Sequence, residues 1–263
     1  MTRSFETWAL ALVLSASLAA CGSDSSSPAS GAAASGSEPG GVVVSAASSL
    51  KGALTTYGAR FKPGPVRLSF AGSDELAAQI EQGVKPDVFA SANTKLPEQL
   101  YEKGLVEKPK VFAGNRLVLA VPADSKIKTV ADAAKTGMTV AVGSASVPVG
   151  AYTHEVLAKL GANGAAILRN VRSEEPDVKG VVGKLTQGAV DAGFVYITDV
   201  DATHGQIRAI ELPRDASPTV AYGIAVVNGA KHPANAKRFV DGVMGSKGQQ
   251  VLKAAGFEPP PGS

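Results

Sequence analysis

The sequence predicts an α/β protein of two lobes joined by two crossover strands, on three observations. Short Val-rich apolar runs alternate with segments of helical period. Several of these runs stop in small hydroxyl residues where a helix begins. Two long strands, near residues 117 and 222, flank a middle stretch with a strand–helix set of its own. The chain is therefore expected to start a first lobe (41–119 with 220–263), build a second (120–219), and return. Two α/β lobes with a cleft between them can engulf a ligand by hinge closure.

Residues 1–40 stand outside that fold. Thr7 to Ala20 is an apolar stretch of secretory-signal length, and Leu18-Ala19-Ala20-Cys21 closes it with small residues before the only cysteine. This reads as a signal peptide over 1–20 with lipid attachment at Cys21, a bare secretory signal being the plainer reading. The Gly/Ser/Ala/Pro segment over 21–40 has too little apolar surface to bury a core and reads as a tether. The mature chain is thus expected on the extracytoplasmic face of a cell membrane, lipid-anchored. With Cys21 committed to lipid, no thiol remains for a disulfide, a thiolate metal site or a nucleophile. A formal charge of +3 with both signs interspersed gives no nucleic-acid stripe. A monomer with a small ligand is expected.

The Val-rich run within 41–50, which stops in small hydroxyl residues, predicts a buried parallel strand. After it, Leu50, Leu54, Tyr57 and Phe61 form one helical stripe, with Ser48 or Ser49 as N-cap. Strands are predicted over 65–71 and 87–91, with helices over 75–82 and through Leu96, Leu100 and Tyr101; Gly83 and Gly104 stop them. Three strand–helix units in succession argue for a parallel sheet. The strand over 117–122 runs into a proline. The second set then has helices over 130–135, 149–160 and 178–187 and strands over 139–143 and 192–196, ending near 210–213. A long strand over 219–227 and helices over 234–243 and 247–255 complete the chain.

Four helix starts share one chemistry. Ser49 and Ser73 follow strands and offer a hydroxyl beside backbone N–H groups; Val149 follows Pro148 at a helix start; Val178 follows Asp177, a plausible N-cap. Free N–H groups and the helix dipole make such ends attractive to anions, although simple capping explains any one of them. Tyr196 ends a strand at the edge where open α/β sheets bind ligands, and serves either as a rigid donor or as a packing residue. An enzyme is weighed against this. Ser48-x-x-Lys51, Ser91-x-Asn93 and Lys135-Thr136-Gly137 stand in the order of the serine acyl-enzyme signature of β-lactamases, but the last follows a helix instead of lying on a sheet edge. The acidic run Glu174-Glu175-Pro176-Asp177 suits either a solvated first helical turn or a hard cation.

The segments AASSL (46–50), SFAGSDELAAQIEQGVKPDVFASA (69–92), GNRLVLAVP (114–122), AVGSASVPVGAYTHEVLAKLG (141–161), and the interval from Asp177-Val178 to Val195-Tyr196 resemble the molybdate-binding proteins of ABC transporters. The resemblance implies the type II periplasmic-binding fold and a receptor, not an enzyme, that hands molybdate or tungstate to a membrane permease. It implies no cofactor and no metal cation. Carried over by motif, the ligand would be held by Ser49, Ser73, the backbone at Val149 and Val178, and Tyr196. The same fold also serves receptors for other ligands, such as sulfate or a ferric chelate. This chain departs from a run of serines at Gly72-Ser73-Asp74, and Asp74 is expected to turn away along its own helix, because a carboxylate beside a dianion would oppose binding.

Overall fold

The computed structural model describes residues 40–262. The signal peptide, Cys21 and the tether up to residue 39 lie outside the described residues. Within them are ten strands: β1 (Val42–Ala47), β2 (Val66–Ala71), β3 (Val88–Ser91), β4 (Lys110–Asn115), β5 (Leu117–Pro122), β6 (Val140–Gly143), β7 (Val171–Glu175), β8 (Ala192–Tyr196), β9 (Ile207–Ile210) and β10 (Val220–Val226). The helices are α1 (Lys51–Gly58), α2 (Ser73–Glu81), α3 (Lys95–Glu102), α4 (Val130–Ala133), α5 (Pro148–Lys159), α6 (Gly161–Asn170), α7 (Val178–Thr186), α8 (Ile197–Asp201), α9 (Pro233–Met244) and α10 (Ser246–Ala254).

The strands form two sheets of one topology, β2-β1-β3-β10-β4 and β7-β6-β8-β5-β9. In each, three parallel strands are followed by one strand that runs antiparallel to both of its neighbours. The α/β class predicted from the run of strand–helix units is the one observed. Each parallel trio is pinned by the same device. Asp87, just before β3, accepts the N–H of Val43 at 2.8 Å, and Asp191, just before β8, accepts that of Thr139 at 2.8 Å. Asp87 also accepts the N–H of His232 at 2.8 Å, which ties the start of α9 to the first sheet. A buried carboxylate is tolerated here because donors surround it.

The first sheet is covered on both faces. Leu76 and Ile80 of α2 and Leu100 of α3 pack with Phe89 and Ala225 on one side. Val42, Val44 and Ala46 belong to the larger core with Leu54 of α1 and Phe239 of α9. Burial on both faces explains why β1 and β3 are continuous small or apolar runs without alternation.

Several expectations are corrected. Neither Ser48 nor Ser49 caps α1 through its side chain, because a 3-10 turn, Ser48–Leu50, intervenes and Leu50 takes the N-cap position. The strands β4, β7 and β9 and the helices α6 and α8 have no counterpart in the sequence reading. The strand β5 pairs only with β8 and β9, so the change of sheet falls at Arg116, with Leu117, Val118 and Leu119 already in the second sheet. The return passes between β9 and β10. Among the described residues, no helix is long and apolar enough to cross a membrane.

Candidate functional site

Both sheets aim the carboxyl ends of their parallel strands at one small cavity, with about 20 Å³ open to the centre of a water-sized sphere. Ser49 follows β1, Ser73 follows β2, Val149 lies beyond β6, Val178 beyond β7, and Tyr196 ends β8. All five line this cavity, together with Ser48, Gly72 and Asp177. About 10–15 Å³ by that measure holds one water, so this cavity suits a few heavy atoms at most.

Four of the five, Ser73, Val149, Val178 and Tyr196, have a donor freed by a local arrangement. Ser73 Oγ accepts the N–H of Ala92 at 3.1 Å, which leaves its own proton to give elsewhere. Val149 is the second residue of α5 behind Pro148, and first-turn N–H groups have no acceptor within the helix. At α7, Asp177 Oδ1 accepts Lys179 N at 2.7 Å and Gly180 N at 3.0 Å, so the cap itself leaves the N–H of Val178 over. Ser49 Oγ lies 3.0 Å from the Tyr222 hydroxyl. Tyr196 is 1% exposed, and its hydroxyl has no hydrogen-bond partner among the described residues. Burial, helped by the neighbouring Tyr222, Tyr152 and Asp199, raises its pKa well above the usual tyrosine value, so the phenol stays protonated and able to donate.

No Lys, Arg or His lines the cavity. Its polarity is that of N–H and O–H dipoles and helix N-termini, which suits an anion that brings its own full charge and needs only donors. Two elements meet tightly at the rim. A Cβ on Gly72 would stand 2.5 Å from the carbonyl oxygen of Pro176, so a residue with a side chain would hold the β2 and β7 ends apart. Asp74 is not among the lining residues, yet it does not run along α2 as expected. Its Oδ2 accepts the hydroxyl of Ser146, from the loop before α5, at 2.7 Å, and its Oδ1 is buried without a partner.

Residues 42–258 match the family described as bacterial extracellular solute-binding protein. The chain belongs to this family. The molybdate-binding protein ModA of Mycobacterium tuberculosis is 36% identical over 97% of this chain and 97% of its own length. The structure of the Azotobacter vinelandii periplasmic molybdate-binding protein superposes with a TM-score of 0.75, covering 83% of this chain and 99% of that one at 23% identity. The sulfate-binding protein SubI of Mycobacterium tuberculosis superposes with a TM-score of 0.74, covering 83% of this chain and 86% of that one at 17% identity. At such identities both structures establish the fold alone, the two-sheet α/β fold of periplasmic binding proteins.

Membership in a solute-binding family disposes of the acyl-enzyme reading, and the geometry agrees. Ser48 lines the cavity, but Lys51 is exposed and does not. Lys135 is exposed and paired with Asp132 at 2.6 Å. The acidic run also reads differently in three dimensions. Glu174 and Glu175 belong to the edge strand β7, not to a helical turn, and Asp177 is spent on capping α7. Two residues of this solute-binding protein escaped the sequence reading: Tyr222, in the middle of β10, and Asn115, whose Nδ2 lies 3.2 Å from the Tyr222 hydroxyl. The only local signal for Tyr222 is a hydroxyl inside an otherwise apolar strand.

Proposed function

We propose that this chain is an extracytoplasmic receptor that captures molybdate, and tungstate with it, between two lobes and delivers it to an ABC permease. Ser49, Ser73, Tyr196 and the backbone N–H groups of Val149 and Val178 hold the oxyanion. The observation that carries the reading is the Tyr196 hydroxyl, fully buried at the cavity and unpartnered, whereas the hydroxyls of Ser49 and Ser73 have partners. A buried unpaired O–H costs free energy unless a ligand accepts from it. A tetrahedral dianion without a proton satisfies such donors. Monohydrogen phosphate brings a proton to a site whose Tyr196 hydroxyl and first-turn N–H groups only have hydrogens to give, and is disfavoured. The 36% identity to a molybdate-binding protein supports molybdate as the dianion.

Ser49 and Ser73 come from the lobe of β1 and β2, and the other three donors from the lobe of β6, β7 and β8. Neither lobe holds the complete set, so the ligand favours the closed arrangement. Cys21, after Leu18-Ala19-Ala20, carries the lipid that keeps the receptor beside the permease. Calorimetric titration of the soluble domain with molybdate, tungstate, sulfate and phosphate tests the function. Saturable binding of molybdate and tungstate with no heat from phosphate is expected; sulfate binding in the absence of molybdate binding refutes the assignment. For the anchor, the full chain is expected in the detergent phase on phase partitioning and Cys21→Ser in the aqueous phase. Wild type in the aqueous phase refutes lipidation.

A further inference from the structure

The hydroxyl of Ser49 belongs to a chain of buried polar groups. Its Oγ lies 3.0 Å from the Tyr222 hydroxyl, which lies 3.2 Å from Asn115 Nδ2. The same amide nitrogen donates to Thr198 Oγ1 at 2.9 Å. Ser49, Asn115, Thr198 and Tyr222 are all buried. Between two hydroxyls the heavy-atom distance leaves the direction of donation open, but Asn115 decides it. Its Oδ1 accepts the N–H of Arg116 at 2.9 Å, so the NH₂ must be the end that faces Tyr222 and Thr198. An amide NH₂ only donates. The Tyr222 oxygen therefore accepts from Asn115 and gives its single proton to Ser49. Ser49 Oγ, having accepted, has its own proton left for the cavity.

We propose that Asn115 and Tyr222 are positioning residues that set the Ser49 hydroxyl as a donor toward the anion. In the opposite sense Ser49 would donate to Tyr222 and turn lone pairs on the ligand. The inference rests on the oxyanion reading of the cavity and deepens it: the donor character at Ser49 is imposed from the last residue of β4. The Tyr222 ring is held for this purpose by edge contacts with Phe112, Tyr196 and Phe257, at centroid distances of 6.2, 5.9 and 5.3 Å. Burial, with Asp199 nearby, raises its pKa well above the usual value against the pull of its two hydrogen bonds, so the relay proton stays on. The second Nδ2 hydrogen reaches Thr198 of α8, which packs with the second sheet, so one amide orients Ser49 and joins the two sheets where the chain crosses between them.

The test is a pair of cycles read by molybdate titration. Tyr222→Phe keeps the ring and removes the relay hydroxyl; affinity is expected to fall about tenfold, the scale of one hydrogen bond. Combined with Ser49→Ala it should add nothing to the loss from Ser49→Ala alone, because the two act as one unit. Asn115→Asp turns the donor into an acceptor and reverses the relay, so its loss should at least equal that of Ser49→Ala. In the Tyr222→Phe background, Asn115→Asp should cost far less, since there is no hydroxyl left to reverse. Additive losses from Tyr222→Phe and Ser49→Ala overturn the relay. So does an Asn115→Asp penalty of equal size in both backgrounds, which would mark a distant charge. If Asn115→Asp fails to fold, the near-isosteric Tyr222→Phe and Ser49→Ala cycle decides alone. Wild type that binds no tetrahedral oxyanion overturns the oxyanion reading and the relay together, whereas binding with an additive cycle overturns the relay only.

Discussion

Tyr196→Phe is expected to move stability and binding in opposite directions. The hydroxyl is buried, lines the cavity and has no partner, so the folded protein without ligand bears the cost of desolvating it. Leaving a polar group unpaired costs about 1–3 kcal/mol, less where water enters from the cavity. Removing it should therefore leave stability unchanged or raise it by up to about 1 kcal/mol, with the ring packing against Tyr222 preserved. Binding should suffer, because a hydrogen bond to a charged partner contributes about 1.5–3 kcal/mol, or roughly ten- to a hundredfold in Kd. Thermal unfolding with and without saturating molybdate reads both effects at once, since the ligand-induced shift follows RT ln(1 + [L]/Kd). The expected result is an equal or higher midpoint without molybdate and a smaller shift with it. A destabilised variant with an undiminished ligand shift would mean that the hydroxyl serves packing and not the anion, and the central argument would fail.

Other outcomes follow from the same contacts. Ser49→Ala and Ser73→Ala should each weaken molybdate binding by about 1.5–3 kcal/mol in calorimetric titration. Both should also lower the melting temperature, because Ser73→Ala strands the buried N–H of Ala92 and Ser49→Ala the buried hydroxyl of Tyr222. Asp87→Ala should destabilise the fold by about 2–5 kcal/mol in urea titration, since the N–H groups of Val43 and His232 both lose their acceptor, while binding by the folded fraction stays normal. Ser146→Ala should speed molybdate release a few-fold in stopped-flow experiments by removing the bond to Asp74 across the rim, about 0.5–1.5 kcal/mol, and Asp74→Asn should slow it by keeping an acceptor without the charge. Identical release rates in wild type, Ser146→Ala and Asp74→Asn would show that the rim contact has no part in holding the ligand.

What the sequence made legible was local. A Val-rich run ending in serine, a proline at N1 and an aspartate before a helix are each written within a few residues, and the elements that present Ser73, Val149, Val178 and Tyr196 could be read from them. The missed elements lack such signals. The strand β7 is a polar edge, alternating partly buried with exposed residues; edge strands carry charge readily, so Glu174 and Glu175 looked like a helical turn. The helix α6 starts at Gly161, which takes a positive φ of 56° directly after α5 and so looks like a terminator. The relay was out of reach for another reason: Ser49 and Tyr222 are 173 residues apart, Asn115 and Tyr222 107, and no periodicity links them.

The placement of the donors also bears on how the proposed site, with no Lys, Arg or His in its lining, would hold a dianion. Parallel strands end together on one edge of a sheet, and each then delivers a turn or helix N-terminus there. Residues that follow or end strands of both sheets line the cavity, so five strand ends contribute to one small volume. The dipoles of α2, α5 and α7 then add at the centre, while the only carboxylate lining the cavity, that of Asp177, is turned onto Lys179 and Gly180 N–H groups. Asp74, the other carboxylate nearby, is held by Ser146. A lysine in the cavity would attract any anion, including a monoanion or a protonated phosphate, through charge alone. Fixed donors without a counter-charge reward only a ligand that presents acceptors on every side, and that requirement selects a fully deprotonated tetrahedral oxyanion.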